Sequence, residues 1–420
     1  MMITESWEKV PIGRFVELIN GFAFPSEGFT DGEGTPLIRI RDLDNQHTAV
    51  NFSGKYDSRY LVKKGDLLIG MDGDFLTVKW KGGDALLNQR VCKLITKDPA
   101  TLSQDFLFYR VIEEVIRINR ITAATTVKHL SSNDVLGIEI ELPPTPEQTK
   151  IAEILSTVDR AIEQMEALIA KQQRIKTGLM QDLLTRGIDE NGNLRSEQTH
   201  LFKDSPLGRI PAEWEVQPCI ALCREIVVGI VIRPMQYYRP DGVPVLRSAN
   251  VKVNRITREA LVFMSDKDNE KLSKSRLRKG DLVTVRTGYP GTTGVIPPEL
   301  DGSNCVDLVI SRPNHEKIRS EFLSIWINSD HGKRQVLEGQ GGLAQQHFNV
   351  GEMHTLLVKV PDINEQKIIE NLLILQSSAI DELTKNQQKL RSLKTALMQD
   401  LLTGKKHVTP LLTEPQEAGA

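Results

Sequence analysis

The stretch Leu179–Thr185, LMQDLLT, returns letter for letter as Leu397–Thr403. It ends a longer repeat, in which Glu147–Thr185 aligns without gaps on Glu365–Thr403 at a constant offset of 218. Each copy has apolar residues at helical spacing and closes one half of the chain. Two halves ending in the same long helix predict a pseudo-twofold molecule rather than one built around a single core.

The apolar positions of the first helix are Ile151, Leu155, Val158, Ile162, Met165, Ile169, Ile175, Leu179 and Leu183. The second has Ile369, Leu373, Gln376, Ile380, Leu383, Gln387, Leu390, Leu393, Leu397 and Leu401 in phase with it. A stripe this narrow is heptad-like, with one slip near Gln172, and calls for a partner helix. The second globular part lies between the two helices in sequence, so short connections favour an antiparallel pair. The matching register sets Leu155 against Leu397, Leu183 against Ile369 and Ile162 against Leu390. It also sets Gln387 against Met165 and Gln172 against Ile380, two buried glutamines that would fix the register.

Before each helix lies a Gly-rich segment of short alternating apolar runs, which reads as strands and turns. In the first segment these runs are Leu37–Ile40, Asp66–Ile69, Arg90–Ile95 and Gly137–Leu142, with a helix near Gln104–Ile118. Pro143, Pro144 and Pro146 exclude helix before Glu147. The second segment echoes the first: Trp214 answers Trp7, Pro244–Arg247 answers Pro36–Arg39, and His347 and Pro361 answer His129 and Pro143. The expected class is α+β, with two mixed α/β globular domains separated by two long helices forming an antiparallel coiled coil. The expected divisions are a globular part at 1–146, a long helix at 147–186, a linker at 187–204, a second globular part at 205–360, a long helix at 361–404 and a disordered tail at 405–420.

Composition removes several function classes. The formal net charge is −2, so nucleic acid would be met by local positive surface or with a partner's help, not by bulk charge. No apolar run approaches a membrane span. The four cysteines are scattered, which predicts a cytoplasmic protein with reduced thiols and no metal site. Gly288–Gly294, GYPGTTG, lacks the Lys-Ser/Thr pair of a phosphate loop, and GxGxxG is absent. No Asn/Asp-Pro-Pro-aromatic string of an amino-methyltransferase occurs. Pro361-Asp362 before Glu365-Gln366-Lys367 only imitates a nuclease pattern; a carboxylate near a helix's positive end explains it better. No catalytic residue is assigned.

Recognition surface remains. After a Gly-Asp turn, each globular part carries a polar loop, Gly70–Arg90 in the first and Arg286–Gly294 in the second. Arginine can fork onto guanine, glutamine and asparagine onto adenine, and threonine can touch phosphate or a thymine methyl. The candidate DNA-binding residues are Arg39, Lys79, Lys81, Gln89 and Arg90 in the first part. In the second they are Arg247, Arg286, Thr287, Tyr289, Thr292 and Thr293.

Each globular segment is entered by a Trp-containing stretch (Trp7, Trp214) and closed by Pro-x-x-x-Glu-Gln (Pro143–Gln148, Pro361–Gln366) and a helix ending LMQDLLT. In this the chain resembles the specificity subunits of type I restriction–modification systems, over nearly all its length up to Gly404. The resemblance implies two target-recognition domains, each reading half of a bipartite, asymmetric double-stranded DNA sequence, with the coiled coil setting the unread gap. It implies adenine methyltransferase subunits and motor–nuclease subunits as partners, which would carry the S-adenosylmethionine, ATP and Mg chemistry while this chain holds no cofactor. A DNA-recognition subunit of another modification system, without restriction activity, is the alternative. A stand-alone methyltransferase or nuclease and a non-DNA coiled-coil adaptor fit less well.

Overall fold

The computed structural model describes residues 7–121, 128–338 and 347–412. The chain forms two compact units, Met1–Glu166 with Lys385–Ala420, and Ala167–Thr384. Each unit therefore combines a globular part with a portion of both long helices, where the sequence suggested helices as segments of their own.

In the first unit, strands Val16–Asn20, Val91–Thr96, Leu67–Gly70 and Thr77–Lys79 make an antiparallel sheet in that order. A second sheet contains Thr35–Ile38 parallel to Ala85–Leu87. Glu8–Pro11 pairs antiparallel with Glu139–Leu142, bringing the segment that begins the unit beside the one leading into the long helix. Helix Gln104–Ile121 buries Phe106, Leu107 and Val111 in the main core. Ile151 and Leu155 of the first long helix, Leu401 of the second and Leu402 just past its end join the same core.

The second unit repeats this plan. Cys223–Val228, Leu308–Pro313, Leu282–Val285 and Thr293–Val295 form the antiparallel sheet, again in that order. Val243–Leu246 runs parallel to Asn304–Cys305, and Glu215–Pro218 pairs with Leu357–Val360. Its core contains Trp214 and Trp326 with Leu183 and Leu184 from the first long helix and Ile369 and Leu373 from the second.

The long helices span Thr145–Thr185 and Ile363–Leu401. The first starts two residues earlier than expected, because Pro146 sits in the first turn, where no backbone N–H is needed. Within the first unit the helix portions run antiparallel. Lys394 pairs with Asp159 at 2.6 Å, and Arg391 Nη2 and Gln387 Nε2 donate to Glu166 Oε1 at 2.6 and 3.2 Å. Leu155 and Leu397 meet in its core, where Ile162 is buried and Leu390 half-buried. Within the second unit Leu183 and Ile369 share a core, and Gln376 Nε2 donates to Gln172 Oε1 at 2.8 Å. The glutamines thus differ from expectation. Gln172 meets Gln376 rather than Ile380, Gln387 meets Glu166 rather than Met165, and both are half-buried, where an amide finds polar partners at the seam's edge. Ile175 and Leu393, assigned to the seam, are exposed; the slip near Gln172 moves the stripe round the helix.

The repeated Glu-Gln at each helix start has one structural job per residue. Gln148 is fully buried, donates to Pro143 O (2.8 Å) and Thr101 O (2.9 Å), and accepts from Ser103 N (2.8 Å). Gln366 does the same with Pro361 O, Lys317 O and Arg319 N. Each amide fixes the long helix to the loop that starts its unit's short helix. Glu365 accepts from Arg195 Nη1 and Nη2, Trp214 Nε1 and Ile188 N, binding the segment that leaves the first long helix. Gly187 (φ +63°) makes room for this, since a Cβ there would collide with Glu365 and Trp214.

In the first unit the corresponding segment is residues 404–412, which from 405 on belong to the expected disordered tail. They are instead packed: Val408 is buried in the main core, His407 lies edge-on to Trp7 at 5.4 Å, and Thr409 donates to Glu147 at 3.1 Å. Residues 413–420 of that expected tail lie outside the described residues. Val408→Ala is expected to destabilise the first unit by about 2 kcal/mol through lost burial and the cavity left behind. Denaturant unfolding checks this, and an unchanged midpoint would mean that the segment contributes nothing.

Candidate nucleic-acid interface

In each unit the sheet strand that follows the Gly-Asp turn runs on past the sheet and is met there by a histidine. In the first unit Asp72 makes an isolated antiparallel bridge with His129, with Leu130 N donating to Met71 O at 2.7 Å and Gly73 N to Lys128 O at 3.0 Å. In the second, Thr287 bridges His347 and Phe348 N donates to Arg286 O at 2.9 Å. The neighbouring strand contributes the residue preceding it, Arg90 or Asp307. Both are non-glycine residues in the left-handed region, at φ +70° and +51°. Such strain recurs at binding sites, where the surrounding structure holds it in place.

The side chains gathered there differ. Asp72 Oδ1 lies 2.6 Å from His129 Nδ1 and Asp72 Oδ2 lies 3.5 Å from Arg90 Nε. A carboxylate only accepts, so His129 carries its proton on Nδ1 and leaves Nε2 without a partner among the described residues. Asn20, Gly21, Met71, Gln89, Arg90 and His129 line a cavity of about 440 Å³ beside this pair. In the second unit Arg286 Nη1 is 2.5 Å from Asp307 Oδ1 and its Nη2 is 2.6 Å from His347 Nε2. A guanidinium only donates, so Nε2 accepts; the neutral ring carries its proton on Nδ1, 3.1 Å from Thr287 Oγ1.

The remaining candidates are dispersed. Gln89 stands beside Arg90, and Tyr289, 84% exposed, stands at the tip beyond Thr287 with Thr292 half-buried behind it. Thr293 is wholly buried, its hydroxyl bonded to Thr284 Oγ1 at 2.8 Å and Gly291 O at 3.0 Å, so it cannot touch DNA. Lys79 pairs with Asp105 at 2.6 Å over the ring of Phe108, and Lys81 pairs with Glu163. Arg39 Nε turns back to Asp42 at 3.4 Å, and Arg247 Nη2 donates to Ala260 O at 2.8 Å. Each of these four cations already has an acceptor within its own unit.

His129, His347, Asp72 and Asp307 were not among the sequence candidates. Their only signal was the common offset of the two histidines, which marked the repeat without revealing that strand ends converge on them.

Among the described residues no group of three or more His, Cys, Asp and Glu is placed to hold a metal. Burial pushes the Cys92 thiol up to about 12 and raises that of Cys305, so neither is a nucleophile at neutral pH. No helix among the described residues is long and apolar enough to cross a membrane.

Residues 4–172 match the family model described as the type I restriction modification DNA specificity domain. The chain is 28% identical to the type I restriction enzyme EcoBI specificity subunit of Escherichia coli, covering 87% of this chain and 78% of that one. It is 25% identical to the MjaVIII specificity subunit of Methanocaldococcus jannaschii, covering 98% and 95%. The type I restriction–modification S subunit from M. genitalium has the same fold, with a TM-score of 0.59, 15% identity and coverage of 96% and 98%.

Proposed function

We infer, from a family resemblance to type I restriction–modification specificity subunits that runs the length of the chain, that this protein is such a subunit and recognises DNA. It carries no catalysis of its own. Each unit presents its histidine-anchored strand end to one half of a bipartite target. The observation that carries this reading is the repeated scaffold with unlike side chains, Asp72, Arg90 and His129 in one unit and Arg286, Thr287, Asp307 and His347 in the other. Equal geometry with unequal chemistry suits two readers of two different half-sequences.

Methylation and cleavage then belong to partners. Adenine methyltransferase subunits would bring S-adenosylmethionine, and motor–nuclease subunits ATP and Mg. A net charge of −2 is consistent with partners supplying much of the positive surface that holds the phosphates. The two long helices, each contributing to both units, would set the unread spacer.

The test is reconstitution with a methyltransferase subunit. The complex should methylate one asymmetric bipartite sequence, and the chain alone should methylate nothing. Exchanging residues 1–146 for the matching segment of another specificity subunit should change one half-site and leave the other intact. Altered recognition at both halves would refute independent readers, and methylation by the isolated chain would refute the non-catalytic reading.

A further inference from the structure

The ion pair at the two reading points has opposite polarity. The strands are equivalent: Gly70 pairs with Val91, and Val285 with Leu308. In the first unit the acid, Asp72, extends the central strand and the arginine, Arg90, precedes the neighbouring one. In the second the arginine, Arg286, extends the central strand one residue sooner, at the place Met71 holds in the first, and the acid, Asp307, precedes its neighbour. This reversal decides which guanidinium is free.

Arg286 has spent its fork. Nη1 is taken by Asp307 and Nη2 by His347, and its side chain is only 14% exposed. Arg90 touches Asp72 through Nε alone, is 58% exposed, and has no partner for Nη1 or Nη2 among the described residues. The Asp72 contact leaves the outer edge of the guanidinium presented beside Gln89 and the 440 Å³ cavity.

That edge suits a neutral double acceptor. Guanine offers O6 and N7 side by side in the major groove, the pair a fork matches. A phosphate suits it less, because Asp72, within 3.5 Å of Nε and 2.6 Å of His129, would repel it. We propose that Arg90 is a specificity-determining residue that reads one guanine in the half-site of the first unit, while Arg286 positions His347 and reads no base. This rests on the DNA-recognition reading above and adds the residue and the base.

The experiment uses the complex with methyltransferase subunits and a DNA library randomised across both half-sites, with methylated products sequenced. For Arg90→Ala, preference for guanine should fall roughly 5- to 150-fold at a single position, and for the charge-preserving Arg90→Lys it should fall less at that same position, because an ammonium reaches O6 or N7 without the fork. Every other position and the second half-site should keep their preferences. Arg286→Lys should leave every preference in the first half-site intact and confine any change to the second half-site, where Arg286 holds His347. An equal loss on all sequences for Arg90→Ala, with a shallower salt dependence, would mean a phosphate contact and overturn the proposal. Unchanged preferences in both Arg90 variants would overturn it too. A wild-type complex with no sequence preference would bring down the specificity reading itself, and this proposal with it.

Discussion

Glu365→Ala is expected to destabilise the second unit by about 3–5 kcal/mol, because it leaves a buried guanidinium without its main partner. The carboxylate accepts from Arg195 at 2.5 and 3.2 Å, from Trp214 Nε1 at 3.0 Å and from Ile188 N at 2.8 Å. Both side chains of the ion pair are less than a tenth exposed, so water cannot take the carboxylate's place. Arg195 would keep only Glu213. Glu147→Ala, at the matching position, should cost about 1 kcal/mol, since it loses one neutral hydroxyl bond from Thr409 and a longer approach from His407. Denaturant unfolding of both variants measures the difference. Equal losses would show that the repeated glutamate acts through the helix end alone.

Deleting seven residues from each long helix, at facing positions near Gln172 and Gln376, should shorten the preferred DNA spacer while both half-sequences persist. Seven residues are roughly 10.5 Å of helix, about three base pairs at 3.4 Å each. Methylation of the original site should drop on the order of 100-fold, as misplacement of reacting groups does, and a site with the shorter spacer should become the best substrate. Removing one or two residues instead turns everything beyond by about 100° per residue and should abolish methylation at either spacer. A seven-residue deletion that leaves the spacer unchanged would contradict the ruler.

Some of this was legible in the chain because it repeats at fixed period. The long helices follow from apolar spacing, a local signal written twice, their antiparallel pairing from the second globular part lying between them, and the matching plan of the two halves from motifs that recur. The glutamine partners were misread because a half-buried amide takes the nearest polar group, which a register sum cannot name. The packed segment around Val408 could have been anticipated, since it follows LMQDLLTG as residues 188–195 follow LMQDLLTRG. Polar loop composition located the neighbourhood of Arg90 and Arg286. It could not separate them from Lys79, Lys81 or Thr293, because whether a side chain is free depends on neighbours distant in sequence. Asp105, Glu163 and Thr284 supply those neighbours here.

The packed segment around Val408 also bears on how the protein is made. The core of the first unit needs Leu401, Leu402 and Val408. These leave the ribosome long after Glu166, on the order of ten to fifty seconds later at ordinary translation speeds. The second unit is one unbroken stretch, Ala167–Thr384, and has every residue it needs before then. Synthesis therefore runs against the usual order. The unit whose globular part emerges first must wait half-built, with apolar surface for a chaperone to cover, until Leu401, Leu402 and Val408 emerge to close it.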